Sequence, residues 1–496
     1  MGLQCAAVVM PQILVHGNPA LHTPSRQVTW SDPANARDIA DLHRALADFQ
    51  EAHGYGRAIA APQIGVLKRI IAMNLGAGPL TLINPEIIWT SADTFDVWDD
   101  CMSVPDHVVR IRRHRSISVR YTDEFGRPRT WRNLPETMSE LLQHEIDHLD
   151  GVVMVDRAVN ADSVRPISQH AHLVGGTRPT HRFSFGAIAE ASRIVDPVFR
   201  QTPQFVCDPL SDVLGCRLTL KVETVNPIRS FKGRGADYYL AKLGAQDGPL
   251  VCASAGNFGQ ALAYAARKHQ RPLIVYASRN ASPMKIERMI ELGAEVRLHG
   301  EDFDAAKAEA SRYSEEQDVT LVEDGREPEI SEGAGSIGVE LLECSELFEA
   351  VTVPLGNGAL LTGVATWFKA ASPPTEMVGV SSLGADAMEK SWRQGHVVER
   401  EKVDTIADGI AVRVPIPEAV ADMDGIVDDV ILVHDDHIVE AMRLLHRHAG
   451  LVVEPAGAAG LAGIVSHPER FRDLSVATVV AGGNLTPEDI RRYILD

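Results

Sequence analysis

The chain has 496 residues, enough for two to four domains. Apolar residues make up 45% and charged residues 23%, which fits a folded protein and excludes a disordered one. A formal net charge of −19 argues against a nucleic-acid surface, and no apolar run approaches the length that a membrane span needs.

The opening residues carry no basic stretch before their short apolar run, so no signal peptide is expected. Six cysteines, at positions 5, 101, 207, 216, 252 and 344, lie far apart with no C-x-x-C pair. That fits a reduced, cytoplasmic setting better than a disulfide framework. Up to about residue 165 the chain is rich in arginine, and Lys68 is its single lysine there. Short apolar runs at Arg69–Met73, Leu80–Ile83, Val108–Ile111 and Ser116–Arg120 read as strands. A helix is predicted over Glu136–Leu149. Strands first and a helix packed on them make an α+β domain over 1–160. Residues 161–182, with Pro166, Gly175, Gly176 and Pro179 and no periodicity, read as a linker. From 183 to 496, runs such as Leu250–Ala253, Leu273–Tyr276, Val351–Val353, Val378–Val380 and Ala477–Val480 alternate with amphipathic stretches. This alternation predicts βαβ units on a mostly parallel sheet, an α/β domain.

Within the predicted helix, His144, Glu145 and His148 form H-E-x-x-H. On a helix, i and i+4 share a face, so both imidazoles can reach one cation while Glu145 takes a proton from water. A catalytic metal needs a third ligand and an open position. Cys101, in Asp99-Asp100-Cys101-Met102-Ser103, is the better candidate, because Met154 stands where a metzincin places its third histidine. In Gly56-Arg57-Ala58-Ile59-Ala60-Ala61-Pro62-Gln63, small residues such as Gly56 let backbone lie close to a substrate. Gln63 offers an amide donor to an oxyanion.

These three motifs, in this order, resemble those of peptide deformylases over about residues 10–160. The third is intact from Gln143 to Gly151, Ala58 replaces a glycine of the first, and Asp99-Asp100 replace Glu-Gly in the second. The resemblance implies a divalent metal, iron or zinc, on Cys101, His144 and His148. It implies Glu145 as general base and acid, with Gln63 and the Met102 N–H at the oxyanion. Asp100 adds charge and bulk, which argues for an N-formylated substrate other than the usual formyl-methionyl peptide.

Lysine is scarce, ten residues against 38 arginines. Lys232 stands in Ser230-Phe231-Lys232-Gly233-Arg234-Gly235, where small and apolar neighbours suit a desolvated Schiff-base amine. Ser254-Ala255-Gly256-Asn257-Phe258-Gly259 follows a strand and opens a helix predicted over Ala261–Lys268, a junction that faces anions. Gly356-Asn357-Gly358-Ala359-Leu360 could cradle a phosphate. With Thr405–Val412, Val453–Gly460 and Gly482-Gly483-Asn484, these segments resemble the threonine/serine dehydratase branch of the tryptophan-synthase-β-like enzymes, fold type II, over about 185–496.

That resemblance implies pyridoxal 5′-phosphate (PLP), with Lys232 as its anchor and α-proton base. It implies Ser254 and Asn257 at the substrate carboxylate and the cofactor 3′-oxygen, and the amides of Gly356–Leu360 at the phosphate. A homodimer through this half is also expected. Ala481 stands where the family sets Ser, Thr or Cys against the pyridine nitrogen. Ser381 stands where cation-binding members carry Glu, so that cation is not expected. Ala255 stands where racemases carry Ser, which favours a lyase. The expectation is a bifunctional enzyme, a deformylase joined to a lyase of a serine- or threonine-like amino acid. The alternatives are β-replacement by the PLP half, or a non-catalytic binding role for one half.

Overall fold

The computed structural model describes residues 12–53, 56–74, 79–124, 126–134, 136–160, 163–166, 182–244, 248–343, 348–372 and 375–495. The chain falls into two compact units, the first over 1–180 and the second over 181–369 and 375–496. Most of the predicted linker, 161–182, lies outside the described residues.

The first unit opens with a helix, Ala34–His53, and continues through β1 (Ala58–Ala60), β2 (Ile70–Asn74), β3 (Pro79–Thr90), β4 (Thr94–Asp100), β5 (His107–His114), β6 (Ile117–Thr122) and β7 (Pro128–Trp131). The helix Glu136–Leu149 and β8 (Val164–Pro166) follow. Five strands form an antiparallel sheet in the order β1-β2-β3-β6-β7, and three more form β4-β5-β8. The expected order of strands before helix is corrected, because Ala34–His53 precedes every strand. Its apolar stripe, with Leu42, Ala45 and Leu46 buried, packs against Ile59, Ile70 and Ala72. The helix Glu136–Leu149 is buried at every residue from Met138 onward, so even its polar side chains lie inside the unit. It ends at Gly151, whose φ of +76° is left-handed and whose missing Cβ leaves room for the His22 carbonyl.

The second unit carries two sheets. The larger runs β17 (Asp429–Val433), β16 (Glu376–Ser382), β15 (Ala350–Pro354), β18 (Ser475–Val480), β10 (Arg217–Val222) and β9 (Gln204–Val206). All its pairs are parallel except β10 with β9. The smaller runs β13 (Glu295–Leu298), β12 (Leu273–Ala277), β11 (Leu250–Ala253) and β14 (Thr320–Leu321), all parallel. Strand interiors such as Leu218, Leu220, Val351, Val353 and Val378 are fully buried, as expected when helices cover both faces. The helix predicted from Ala261 begins earlier, at Asn257. Among the described residues no helix is long and apolar enough to cross a membrane.

Candidate active sites

In the first unit the helix Glu136–Leu149 presents His144 and His148 one turn apart, and Cys101 follows directly on β4. Ligand atoms of Cys101, His144 and His148 all lie within 4.8 Å of one another, and all three residues are buried. Cys101 Sγ stands 3.2 Å from His148 Nε2. One thiolate and two imidazoles at such spacing suit a tetrahedral ion with one position open. His144 Nδ1 faces Asp99 Oδ2 at 2.8 Å, which leaves Nε2 for a metal. Burial alone would raise the Asp99 carboxyl, but His144 and Arg113 outweigh it and hold it low.

Arg113, which sequence reasoning did not single out, donates to Asp99 at 3.2 Å and to Asp147 Oδ2 at 2.5 Å. It thereby ties the β4 end to the helix that carries His144 and His148. Gln143 serves the same end, accepting from His114 N–H at 3.0 Å and donating to its carbonyl at 2.9 Å. These contacts give physical reasons for the polar residues around the two histidines.

Glu145 is buried, its Oε2 has no hydrogen-bond partner, and burial pushes its carboxyl up to about 7. Gln63 is anchored by Ala60 N–H, which donates to its Oε1 at 2.8 Å. Its amide reaches Ser103 Oγ at 3.3 Å and lies 3.8 Å from Cys101 Sγ. Gly56 lies beside Met102, and a Cβ there would fall 2.8 Å from Met102 Cε. Burial, and next the neighbouring Asp99, raise the Asp100 carboxyl. The three sequence motifs therefore meet at one buried point.

In the second unit a cavity of about 840 Å³ opens among the strand ends. Lys232, Ser254, Ala255, Asn257, Gly356–Leu360 and Ala481 all line it. Lys232 begins the helix Lys232–Leu243, and its Nζ donates to Asp324 Oδ2 at 2.5 Å. The rings of Phe231 and Phe258 flank the amine at 4.9 and 5.8 Å. Phe231 N–H donates to the Ala481 carbonyl, which fixes the lysine segment to the end of β18.

Asn484 Nδ2 donates to Ile228 O and to Asn257 Oδ1, both at 2.8 Å, and Asn257 Nδ2 donates to Glu454 Oε1 at 2.5 Å. Burial, reinforced by Asp408, pushes the Glu454 carboxyl up to about 7. Gly482 is required here, since a Cβ would collide with Glu454 Oε1. Ser254 Oγ accepts from Gly256 and Gly259 N–H at 3.2 and 3.0 Å and so shapes its own turn. Gly356–Leu360 run from β15 into the first turn of the helix Ala359–Ala371, whose leading N–H groups have no partner within a helix. A lysine, an anion-facing turn and this volume fit a phosphorylated aldehyde together with an amino acid. Asp324 was not foreseen, because it stands in no motif.

Fold and site together define a two-domain chain, a metallohydrolase-like unit and an α/β unit with a lysine-bearing cofactor cavity. The chain belongs to the pyridoxal-phosphate dependent enzymes, whose family model matches residues 195–482, while residues 10–164 match that of polypeptide deformylase. The L-threonine ammonia-lyase of Thermotoga maritima is 34% identical over 309 residues, 62% of this chain and 77% of that protein. The mitochondrial threonine dehydratase of Schizosaccharomyces pombe is 33% identical over 303 residues, and the match spans half of that protein's length. A solved structure of processed threonine deaminase isoform 2 from Solanum lycopersicum superposes with a TM-score of 0.59 at 29% identity, covering 62% of this chain and 86% of that one.

Proposed function

We propose that the protein is a bifunctional enzyme, a metal-dependent deformylase and a PLP-dependent ammonia-lyase of serine- or threonine-like amino acids. The reading of the first half rests on the closeness of three buried ligand atoms, from Cys101, His144 and His148, beside an unpartnered Glu145 carboxyl oxygen. Bound there, a divalent cation would supply Lewis acidity toward water in its open position. Glu145 would receive the proton of that water and pass it to the departing amine, through its buried carboxyl oxygen that no hydrogen bond engages. The Gln63 amide and the Met102 N–H would face the formyl oxygen as charge builds on it.

The reading of the second half rests on Lys232, two glycine-containing turns and Asn257 converging on one cavity. Bound there, PLP would supply a ring that accepts the electron pair left when the substrate loses its α-proton. Lys232 would anchor the cofactor and then carry that proton. The first turn of Ala359–Ala371 would hold the phosphate, and Ser254 and Asn257 would orient the amino acid. Phe231 and Phe258 would keep water from the lysine.

Amine exchange at a lysine-anchored aldehyde needs a free amino group on the substrate, and a formyl group blocks it. The first half would then unmask an N-formyl amino acid for the second. Release of oxo acid from free threonine, with metal present in the purified chain, tests the two activities separately. Loss of both would sink the reading.

A further inference from the structure

Asp324 follows the short strand β14, and its side chain is 13% exposed. Its Oδ2 accepts from Lys232 Nζ at 2.5 Å, while its Oδ1 is buried without a hydrogen-bond partner. Three other acids of the cavity have cations of their own, and Glu454 is held by the Asn257 amide. Asp408 pairs with Lys285 at 2.5 Å, Asp304 with Arg413 at 2.7 Å and Glu323 with Lys307 at 2.9 Å. Asp324 depends on Lys232. Yet Lys232 can take a proton from carbon only as a neutral amine. Until the proton has moved, the Asp324 carboxylate faces the cavity with no cation opposite it, which is costly at a buried site.

We propose that this cavity also accepts a short α-amino acid carrying a second ammonium on its side chain, and that Asp324 recognises that ammonium. The proposal rests on the reading of Lys232 as cofactor anchor and proton carrier. The amine that removes the α-proton must approach Cα closely, and Asp324 touches that same amine. The side-chain cation within its reach is therefore one on Cβ or the next carbon. With the ammonium on Cβ the chemistry is again elimination. The α-proton passes to Lys232 and the C–H electron pair forms the Cα–Cβ double bond. The Cβ–N bond breaks with its electrons, and nitrogen leaves as ammonia. Water then displaces the α-nitrogen, so a 2,3-diamino acid and one water give an oxo acid and two ammonia.

Titration of the PLP-loaded protein with 2,4-diaminobutyrate and with its uncharged analogue norvaline reads recognition without elimination, through the change in cofactor absorbance. The wild type is expected to bind the diamino acid at least tenfold more tightly. Asp324→Asn should abolish that preference and Asp324→Glu should keep it. With 2,3-diaminopropionate, the wild type should release two ammonia per oxo acid. A wild type with no preference overturns the proposal, as does a folded, PLP-loaded Asp324→Asn that retains it. Turnover of serine or threonine without that preference rejects this inference alone. A wild type that takes up no PLP rejects the reading of the whole site with it.

Discussion

His144 is oriented by Asp99, which is not one of the three candidate ligands, so two kinds of substitution should behave differently. Cys101→Ala or His148→Ala should lose most bound metal by elemental analysis, because each removes one of the three proposed ligands. Glu145→Ala should keep the metal and lose hydrolysis if, as proposed, its carboxyl moves protons and is not one of the three ligands. Asp99→Asn should weaken metal binding by about 10–100-fold, since the carboxylate that orients His144 through Nδ1 is lost. Full metal in Cys101→Ala would remove the assignment. In the second unit, borohydride should fix the cofactor covalently to Lys232 and to no other of the ten lysines, as peptide mapping would reveal. These residues were legible in the sequence because their chemistry is local: a motif holds them within a few positions. Asp324 and Arg113 were not, because only the tertiary fold brings them to Lys232 and Asp99.

The helix Glu136–Leu149 was legible to its ends, since leucines at helical spacing flank the ligand motif. β4 was missed because its alternation, Thr94 to Val97, is only four residues long before Trp98-Asp99-Asp100 breaks it, and most of the strand is half-buried. β14 has two residues and no pattern to read. The second unit also hides an ion network that no motif announces. Arg234 donates to Glu223 and to Glu340, and Lys221 donates to Glu340 at 2.5 Å. It joins β10 to the helices Lys232–Leu243 and Pro328–Glu343 and so fixes the start of the lysine-bearing helix. Burial would raise the Glu340 carboxyl, but Arg234 and Lys221 override it and hold it down at about 2, below the ordinary 4.5. A depressed carboxyl stabilises the fold at pH above its unfolded value and loses that effect as pH falls through the folded one. The contribution should thus be full above about pH 4.5 and disappear toward pH 2. Glu340→Gln should cost about 3–5 kcal/mol near neutrality, because the buried Lys221 loses its ion-pair partner while Arg234 keeps only Glu223. Denaturation midpoints at pH 7 and pH 3 check this, and an unchanged midpoint at pH 7 would contradict it.

On the scale of the whole chain, two families of active-site motif were readable from sequence because each keeps its order along its own segment. What composition could not supply is the substrate, since fold does not determine function. The chemistry of the two sites nevertheless suggests a sequence of reactions, deformylation first and elimination second. Both halves must then work on one small molecule. The most direct measurement follows oxo-acid release from N-formyl-threonine by the intact protein. Release by the wild type, its loss in Glu145→Ala, and its recovery when Glu145→Ala is given free threonine are the expected results. Release from free threonine but none from N-formyl-threonine, alongside strong hydrolysis of formyl-methionyl peptides, would contradict the account.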